Sequence, residues 1–230
     1  MNTFKMKFAF VLPIFVSSVT AFAPQAFTTS KTSLDAYPTV NGWTADENAF
    51  CAGLPGALAP LGDFDPLGFT EDLPVQEIKR FREAEVTHGR VSMLAVVGYL
   101  VAEKFHPLFD GSVTGPANTH LAQVQEISPF FFAWLVTAIA VAEFGRARTG
   151  WEEPVDAIKK NIDVEGKTWL SKLNDEYYPG DIGFDPFGLK PTDGAEFAEM
   201  QTKELQHGRL AMIGAIGMIV QEQVSNAPLF

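Results

Sequence analysis

One motif occurs twice in this chain, and the second copy follows the first at an offset of 119 residues. Each copy reads Glu-x-x-His-Gly-Arg-x-x-Met and leads into an apolar run; copy 1 is residues 85–93 and copy 2 is residues 204–212. The identities at this offset are Glu85/Glu204, His88/His207, Gly89/Gly208, Arg90/Arg209, Met93/Met212 and Gly98/Gly217. A Phe-Asp-Pro-x-Gly segment precedes each copy. A repeat of this length predicts two copies of one supersecondary unit, related by a pseudo-two-fold axis.

Helix start and stop signals surround both copies. Pro74 suits the first turn of the helix that carries copy 1, and His106-Pro107 predicts its end near Phe105. Asp193-x-x-Glu196 resembles a capping box, which predicts that the last helix covers about residues 195–224.

The region between the copies is predicted to hold one more long helix. Residues 110–125 contain two glycines and a proline and are predicted to form a loop. Ser128-Pro129 is a strong helix start, as N-cap and first helical residue, and the helix breaks at Gly150. Residues 150–189 are mostly polar and are expected to contain only short helical pieces. The sequence thus predicts an all-α protein with three long helices.

The apolar runs of these helices are shorter than the ~20 residues that a bilayer core requires. They cover residues 91–102, 127–142 and 210–220. Taken alone, these lengths favour a soluble bundle. The outer helices become long enough when they are extended back through Glu85 and Glu204, provided that both charges are neutralised.

Loop charges favour the membrane interpretation. Residues 105–129 contain no Lys or Arg, whereas the second loop carries Arg146, Arg148, Lys159, Lys160, Lys167 and Lys172. This asymmetry is the positive-inside pattern for three spans, with the first and third parallel. We therefore predict three transmembrane helices, of which the first and third cross.

The N-terminus is predicted to be a targeting segment. Lys5 and Lys7 precede an apolar run over residues 8–16 and then small residues, which is typical of a signal peptide. The Thr/Ser/Lys segment that follows contains no acid before Asp35, as in a transit peptide. Together the two parts resemble the two-step presequence of algae with plastids of secondary origin, which implies that residues 1–35 are a plastid-targeting presequence and residues 36–230 the three-helix domain. An ordinary secretory signal is the alternative.

The charges of the repeated motif predict reciprocal pairing. If the two outer helices cross about a pseudo-two-fold axis, Glu85 can meet Arg209 while Arg90 meets Glu204. This pairing neutralises four charges, each of which is costly when unpaired in an apolar medium. The glycine beside each arginine allows the two backbones to approach closely.

Each copy also offers ligand atoms. A carboxylate held by arginine keeps a free lone pair, and the imidazoles of His88 and His207 each have one nitrogen to offer. Both groups suit Mg²⁺ with an axial position open. Two alternatives remain: core histidines with ordinary hydrogen bonds, and a di-iron carboxylate site, which also uses Glu-x-x-His but needs further glutamates. On the middle helix only Glu143 is available for that purpose.

The repeated motif, with Phe-Asp-Pro-x-Gly before each copy, resembles the light-harvesting chlorophyll-binding family over about residues 62–223. The presequence and residues 180–189 resemble the fucoxanthin chlorophyll a/c antennae of diatoms and related algae. The loop at residues 113–121, the short link to the middle helix and the early C-terminus are similar to the stress-related branch.

The resemblance implies a role for each motif residue. The axial ligands of chlorophyll magnesium would be Glu85, His88, Glu143, Glu204, His207 and Gln221, with Arg90 and Arg209 as cross-paired partners. The end rings of two carotenoids would lie at Phe64, Asp65 and Pro66 and at Phe184, Asp185 and Pro186. Residues 130–142 lack a polar ligand and the chain ends soon after the last helix, which implies fewer chlorophylls than in the largest antennae.

The implied function is light harvesting or dissipation of excess excitation energy, and not enzyme catalysis. The implied cofactors are chlorophyll a, chlorophyll c, fucoxanthin and diadinoxanthin or another xanthophyll. The implied partners are a photosystem core, other antenna subunits and thylakoid lipids; the net charge of −11 argues against nucleic acid. A structural or assembly subunit of a photosystem is the alternative. Candidate sensors of lumen acidification are Glu103, Asp110, Glu126 and Glu222, with a solvated acidic rim as the alternative.

Overall fold

A computed structural model describes residues 37–71, 73–105, 108–153, 155–156 and 172–229. Within these ranges the chain is all-helical, and its only β-type pairings are isolated bridges. The helices are α1 (Val75–Lys104), α2 (Ala117–Ile127), α3 (Phe131–Gly150) and α4 (Gly194–Ser225). The predicted presequence and three of the loop lysines, Lys159, Lys160 and Lys167, lie outside the described residues.

The predicted bounds of the two outer helices are confirmed to within about one residue. Pro74 is the N-cap of α1, where its missing N–H costs nothing because the first turn has no intrahelical acceptor for it. The carboxylate of Asp193 accepts hydrogen bonds from the N–H groups of Ala195 and Glu196 and so caps α4. After α4, Asn226 adopts a left-handed conformation with φ of 51°, which is a common way to end a helix.

The prediction of a loop over residues 110–125 was wrong, because α2 begins at Ala117. Pro116 marks the start of this helix and not the continuation of a loop. Helix α2 receives its N-terminal cap from a distant part of the chain. The N–H of Asn118 donates to Oε2 of Glu222 on α4 at 2.8 Å. Sequence windows do not reveal a cap of this kind.

The predicted start of the middle helix also changes. Helix α3 begins at Phe131 instead of Ser128-Pro129, because the N–H of Ser128 donates to the Val124 carbonyl oxygen and so completes α2. The end of α3 at Gly150 is as predicted. Taken singly, none of the four helices is both long and apolar enough to qualify as a membrane span over the described residues. Helices α2 and α3 qualify together, as a pair bent by 112°.

Helices α1 and α4 meet at a glycine contact. A Cβ atom built on Gly89 would lie 3.0 Å from the Gly208 Cα, and one built on Gly208 would lie 2.9 Å from the Gly89 Cα. Only glycine permits this approach of two backbones. Beyond the contact, Asn118 of α2 joins the two helices, since it accepts from the Tyr99 hydroxyl and donates to the Ile219 carbonyl oxygen.

The buried hydrophobic core lies at the N-terminal end of α1. It contains Ala52, Leu54, Val75, Ile78 and Tyr178, so two connecting segments cover this end of the helix. In contrast, α3 exposes most of its large apolar side chains, including Trp134, Val136, Ile139, Val141 and Phe144. The apolar surface of α3 is therefore not covered by any other described segment.

Candidate functional site

Two ion pairs lie on either side of the Gly89–Gly208 contact. Arg90 Nε is 2.7 Å from Oε1 of Glu204, and Arg209 Nε is 2.7 Å from Oε1 of Glu85. Each pair joins α1 to α4 with the acid on one helix and the base on the other. This is the reciprocal pairing that the repeat predicts.

The acids of the two pairs differ in their surroundings. Oε1 of Glu204 accepts from Arg90, and its Oε2 faces no further arginine within the described residues. Oε2 of Glu85 lies 3.2 Å from the Nε of a second arginine, Arg82, which is buried and also donates to the Pro55 carbonyl oxygen. A carboxylate has about four lone-pair positions, so both acids retain an acceptor for a ligand.

The two histidines have the same hydrogen bond. Nδ1 of His88 lies 2.7 Å from the Ala84 carbonyl oxygen, and Nδ1 of His207 lies 2.8 Å from the Lys203 carbonyl oxygen. A carbonyl oxygen can only accept, so Nδ1 carries the proton in each neutral imidazole. Nε2 then keeps its lone pair and is available to a metal, an arrangement that is usual for ligating histidines.

Glu143 lies on α3, away from the glycine contact. Its Oε2 is 2.7 Å from Nη2 and 3.0 Å from Nε of Arg146, and about half of its side chain is exposed. Arg146 also reaches α1, where Nη1 lies 3.2 Å from Oε1 of Glu83 and 2.6 Å from the Thr87 hydroxyl oxygen. The sequence analysis did not select Glu83, although it precedes Glu85 by only two residues.

Gln221 is also separate from the ion pairs. It lies on the exposed surface of α4, roughly 20 Å along the helix from Gly208 at 1.5 Å per residue. The structure therefore places Glu85, His88, Glu204 and His207 near one helix contact. The other two predicted ligands, Glu143 and Gln221, lie away from it.

The aspartates of the two Phe-Asp-Pro segments organise their own turns. The carboxylate of Asp65 accepts from the N–H of Phe69 and from the N–H and hydroxyl of Thr70. Asp185 accepts from the N–H groups of Leu189 and Lys190 at 2.9 and 2.8 Å.

These bonds hold the pKa of both carboxyls below the usual value, chiefly through the Thr70 side chain for Asp65 and the Lys190 N–H for Asp185. The neighbouring Phe64 and Phe184 are 63% and 80% exposed, so both aromatic rings are available for an apolar ligand.

A Pro-Gly pair precedes each Phe-Asp-Pro segment and lies against the helix of the opposite copy. The Gly56 carbonyl oxygen accepts from Arg209 at 2.7 Å and from Gln206 at 3.1 Å, both on α4. The Gly180 N–H donates to Oε2 of Glu83 on α1 at 2.6 Å. The repeat thus extends upstream to Pro55-Gly56 and Pro179-Gly180, which the sequence analysis missed. The spacing between Pro-Gly and Phe-Asp-Pro differs between the copies, so a comparison at the constant offset of 119 residues does not align the two Pro-Gly pairs.

A family model described as chlorophyll A-B binding protein matches residues 50–223. That range contains both copies of the motif, α3 and both Phe-Asp-Pro segments. This chain belongs to the chlorophyll A-B binding family. The family binds pigments and is not a family of enzymes.

Relatives with more specific names are similar over most of the chain. The fucoxanthin-chlorophyll a-c binding protein, chloroplastic, of Isochrysis galbana is 45% identical over 192 residues, which is 83% of this chain and 86% of that protein. The light-harvesting complex stress-related protein 3.2, chloroplastic, of Chlamydomonas reinhardtii is 44% identical over 191 residues, covering 80% and 68%. A fucoxanthin-chlorophyll a-c binding protein F of Phaeodactylum tricornutum is 32% identical over 224 residues, covering 95% and 96%.

The donor set of this chlorophyll A-B binding chain fits chlorophyll better than a di-iron centre. Among the described residues, no three His, Cys, Asp or Glu side chains converge on one metal-ion position. A di-iron site needs such convergence. A magnesium ion already held in a macrocycle needs only one axial protein ligand, and isolated donors such as His88, His207 and Glu143 can supply one each.

Proposed function

We propose that this chain is a light-harvesting antenna subunit that binds chlorophyll a, chlorophyll c and fucoxanthin, with diadinoxanthin or a related xanthophyll. The observation that carries the proposal is the reciprocal pairing of Glu85 with Arg209 and of Glu204 with Arg90 around the glycine contact. The names of the relatives in Isochrysis galbana and Phaeodactylum tricornutum support the pigment set and a plastid location.

The protein residues have distinct tasks in this proposal. Nε2 of His88 and His207 and a free carboxylate lone pair of Glu85, Glu204 and Glu143 serve as axial ligands, and the Gln221 side-chain oxygen is a further candidate. Arg90, Arg209 and Arg146 balance the charge of the three glutamates. Bound chlorophyll supplies light absorption and excitation transfer, while the helices fix spacing and orientation. The Phe-Asp-Pro turns present Phe64 and Phe184 to the end rings of two carotenoids.

We further propose that α1, α3 and α4 cross the thylakoid membrane, with α1 and α4 related by the internal repeat. The three helices have 30, 20 and 32 residues, or about 45, 30 and 48 Å at 1.5 Å per residue, compared with a bilayer core of ~30 Å. The exposed apolar side chains of α3 and the neutralised charges of α1 and α4 support this placement. Lipids, other antenna subunits and a photosystem core are the proposed partners of these surfaces.

A photoprotective role is part of the proposal, because a stress-related protein is among the relatives and because two of the four candidate acids interact. Glu222 is 2% exposed, its Oε2 accepts from the Asn118 N–H of α2, and its carboxyl interacts electrostatically with that of Glu103. Acidification would weaken the charged cap on α2. Neutralisation of Glu103, Asp110, Glu126 and Glu222 together should abolish acid-induced fluorescence quenching, and unchanged quenching would remove this role.

The antenna proposal is tested by purification of the mature protein from thylakoids in mild detergent, followed by pigment extraction. Several chlorophylls and carotenoids per chain, in constant ratio to protein, are expected. A single chlorophyll per chain would favour the assembly-subunit alternative. A colourless folded protein that contains iron would instead favour the di-iron alternative.

A further inference from the structure

We infer that Glu83 is a positioning residue for the pigment ligand Glu143 and acts through Arg146. This inference rests on the proposed function, in which Glu143 is an axial ligand of chlorophyll. The three residues form a chain of contacts from the buried side of α1 to the exposed side of α3.

The carboxylate of Glu83 is fixed by three donors, one from α3 and two from the segment before the second Phe-Asp-Pro. Glu83 is only 4% exposed. Its Oε2 accepts from the Tyr177 hydroxyl at 2.9 Å and from the Gly180 N–H at 2.6 Å, and its Oε1 accepts from Arg146. A buried carboxylate requires such partners, because an unpaired charge in this position would be costly. Glu83 is therefore a rigid acceptor on α1.

Arg146 uses the two sides of its guanidinium group for different partners. Nη1 faces α1, where it contacts Glu83 and the Thr87 hydroxyl, whereas Nε and Nη2 face Glu143. Without the α1 contacts, Arg146 and Glu143 would form an ordinary i,i+3 pair on a partly exposed helix surface. Pairs of that kind contribute little to order. The contacts to α1 therefore determine where the guanidinium, and with it the Glu143 carboxylate, is held.

The difference between the two copies supports this role. Glu83 lies two residues before copy 1, and the corresponding residue before copy 2, at the same offset of 119, is Thr202. Its hydroxyl donates to the Ala198 carbonyl oxygen of its own helix at 2.8 Å. Among the described residues, Arg146 of α3 pairs with copy 1 and not with copy 2. The acid is thus present in the copy that contacts Arg146 and absent from the copy that does not.

The test uses protein refolded in detergent with chlorophyll and xanthophyll, with chlorophyll per chain and the red absorption band as readouts. Glu143→Leu, which removes the ligand oxygen, defines the band of its own pigment. Glu83→Gln is expected to lose or shift that band and no other, and the Glu83→Gln/Glu143→Leu double variant should match Glu143→Leu alone. Tyr177→Phe is the control: Oε2 of Glu83 then still accepts from the Gly180 N–H, Oε1 still accepts from Arg146, and all bands should remain.

A wild-type spectrum for Glu83→Gln, or loss of several unrelated bands, would overturn the inference while the antenna proposal stands. Failure of the wild-type chain to take up chlorophyll would overturn both. If Glu83→Gln does not refold, Glu83→Asp keeps the charge but shortens the side chain by one methylene, which draws the carboxylate away from Arg146. A shift of the Glu143 band in that variant supports the inference, and an unchanged band contradicts it.

Discussion

Copy 1 and copy 2 of the repeat have the same charges but different neighbours. In copy 1, Glu85 lies between two arginines, Arg209 and Arg82. In copy 2, Glu204 has Arg90 as its single arginine partner within the described part of the chain. The glycine contact is shared equally by both copies.

This comparison distinguishes the features that both copies have in common from those found at only one copy. The shared elements are the residues on the mutual interface: one glycine, one acid and one arginine from each helix. The differences lie on the outer sides, where copy 1 has Glu83 to receive α3 and copy 2 has Thr202. We interpret the interface as the proposed common pigment-binding unit. We interpret the outer side of α1, beside copy 1, as the attachment site of α3.

The largest expected effect comes from the shared glycines. Gly89→Leu and Gly208→Leu should each abolish assembly with chlorophyll, because any Cβ would lie within about 3.0 Å of the facing backbone. The helices would then separate and both ion pairs would open. Gly98→Leu and Gly217→Leu are matched controls at the next repeated glycines, where nothing lies within 4 Å of the Cβ position. Chlorophyll per chain after refolding measures the effect, and unequal losses at Gly89 and Gly208 would argue against a symmetric interface.

The next effect distinguishes the two copies. Arg90→Leu should reduce chlorophyll retention several-fold more than Arg209→Leu, because Glu85 keeps Arg82 at 3.2 Å while Glu204 loses the one arginine that contacts it among the described residues. In the apolar environment of the proposed membrane placement, removal of one partner of an ion pair leaves an uncompensated charge. The Gly56 carbonyl oxygen, which Arg209 also contacts, keeps Gln206 at 3.1 Å. Equal losses in thermal denaturation monitored by chlorophyll absorption would contradict the difference between Glu85 and Glu204.

The two Pro-Gly segments should show an intermediate effect. Gly56 and Gly180 have φ of +125° and +87°, and a Cβ on either would approach a helix side chain, Leu205 or Val86, to 2.8 Å. Backbone strain alone should cost about 1–2 kcal/mol of folding free energy. Gly56→Ala and Gly180→Ala should destabilise the fold by more than this and so give the larger decrease in thermal midpoint. Gly62→Ala and Gly183→Ala isolate that strain, since both have positive φ and open space around the Cβ position. Similar thermal midpoints for all four variants would show that the close packing of Gly56 and Gly180 against the helices does not affect stability.

The smallest effect is expected at the turn aspartates and depends on pH. Both carboxyls have a lowered pKa in the folded chain, so their contribution is present above the ordinary aspartate value of ~3.9 and is lost as the pH falls through the lower folded-state value. Asp65→Asn should lower the thermal midpoint slightly more than Asp185→Asn at neutral pH, because the Thr70 hydroxyl also donates to Asp65. A difference from wild type that persists below the folded-state pKa would contradict this origin.

The sequence was sufficient to predict the contacts between the repeated motifs and the bounds of the helices that carry them. The constant offset places Glu85 opposite Arg209 and Arg90 opposite Glu204, and the structure contains both pairs. Helix bounds near Pro74 and Asp193 were predictable because proline and capping aspartate act within one helical turn.

The parts that sequence reasoning missed depend on distant contacts. Helix α2 takes its cap from Glu222, which is 104 residues away from Asn118. Glu83 is understood only once Arg146 and Gly180 are seen beside it. The Pro-Gly pairs likewise acquire a role only from the helices against which they pack. None of these contacts leaves a periodic or local signal in the sequence.

We propose that each copy holds an equivalent chlorophyll through its histidine. The deciding measurement is the number of chlorophylls per chain in wild type, His88→Phe, His207→Phe and the double variant, all refolded with the same pigments. Each single variant should lose one chlorophyll and the double variant two, since Nε2 of each imidazole is the available ligand atom. Retention of the wild-type number in the double variant would contradict the claim.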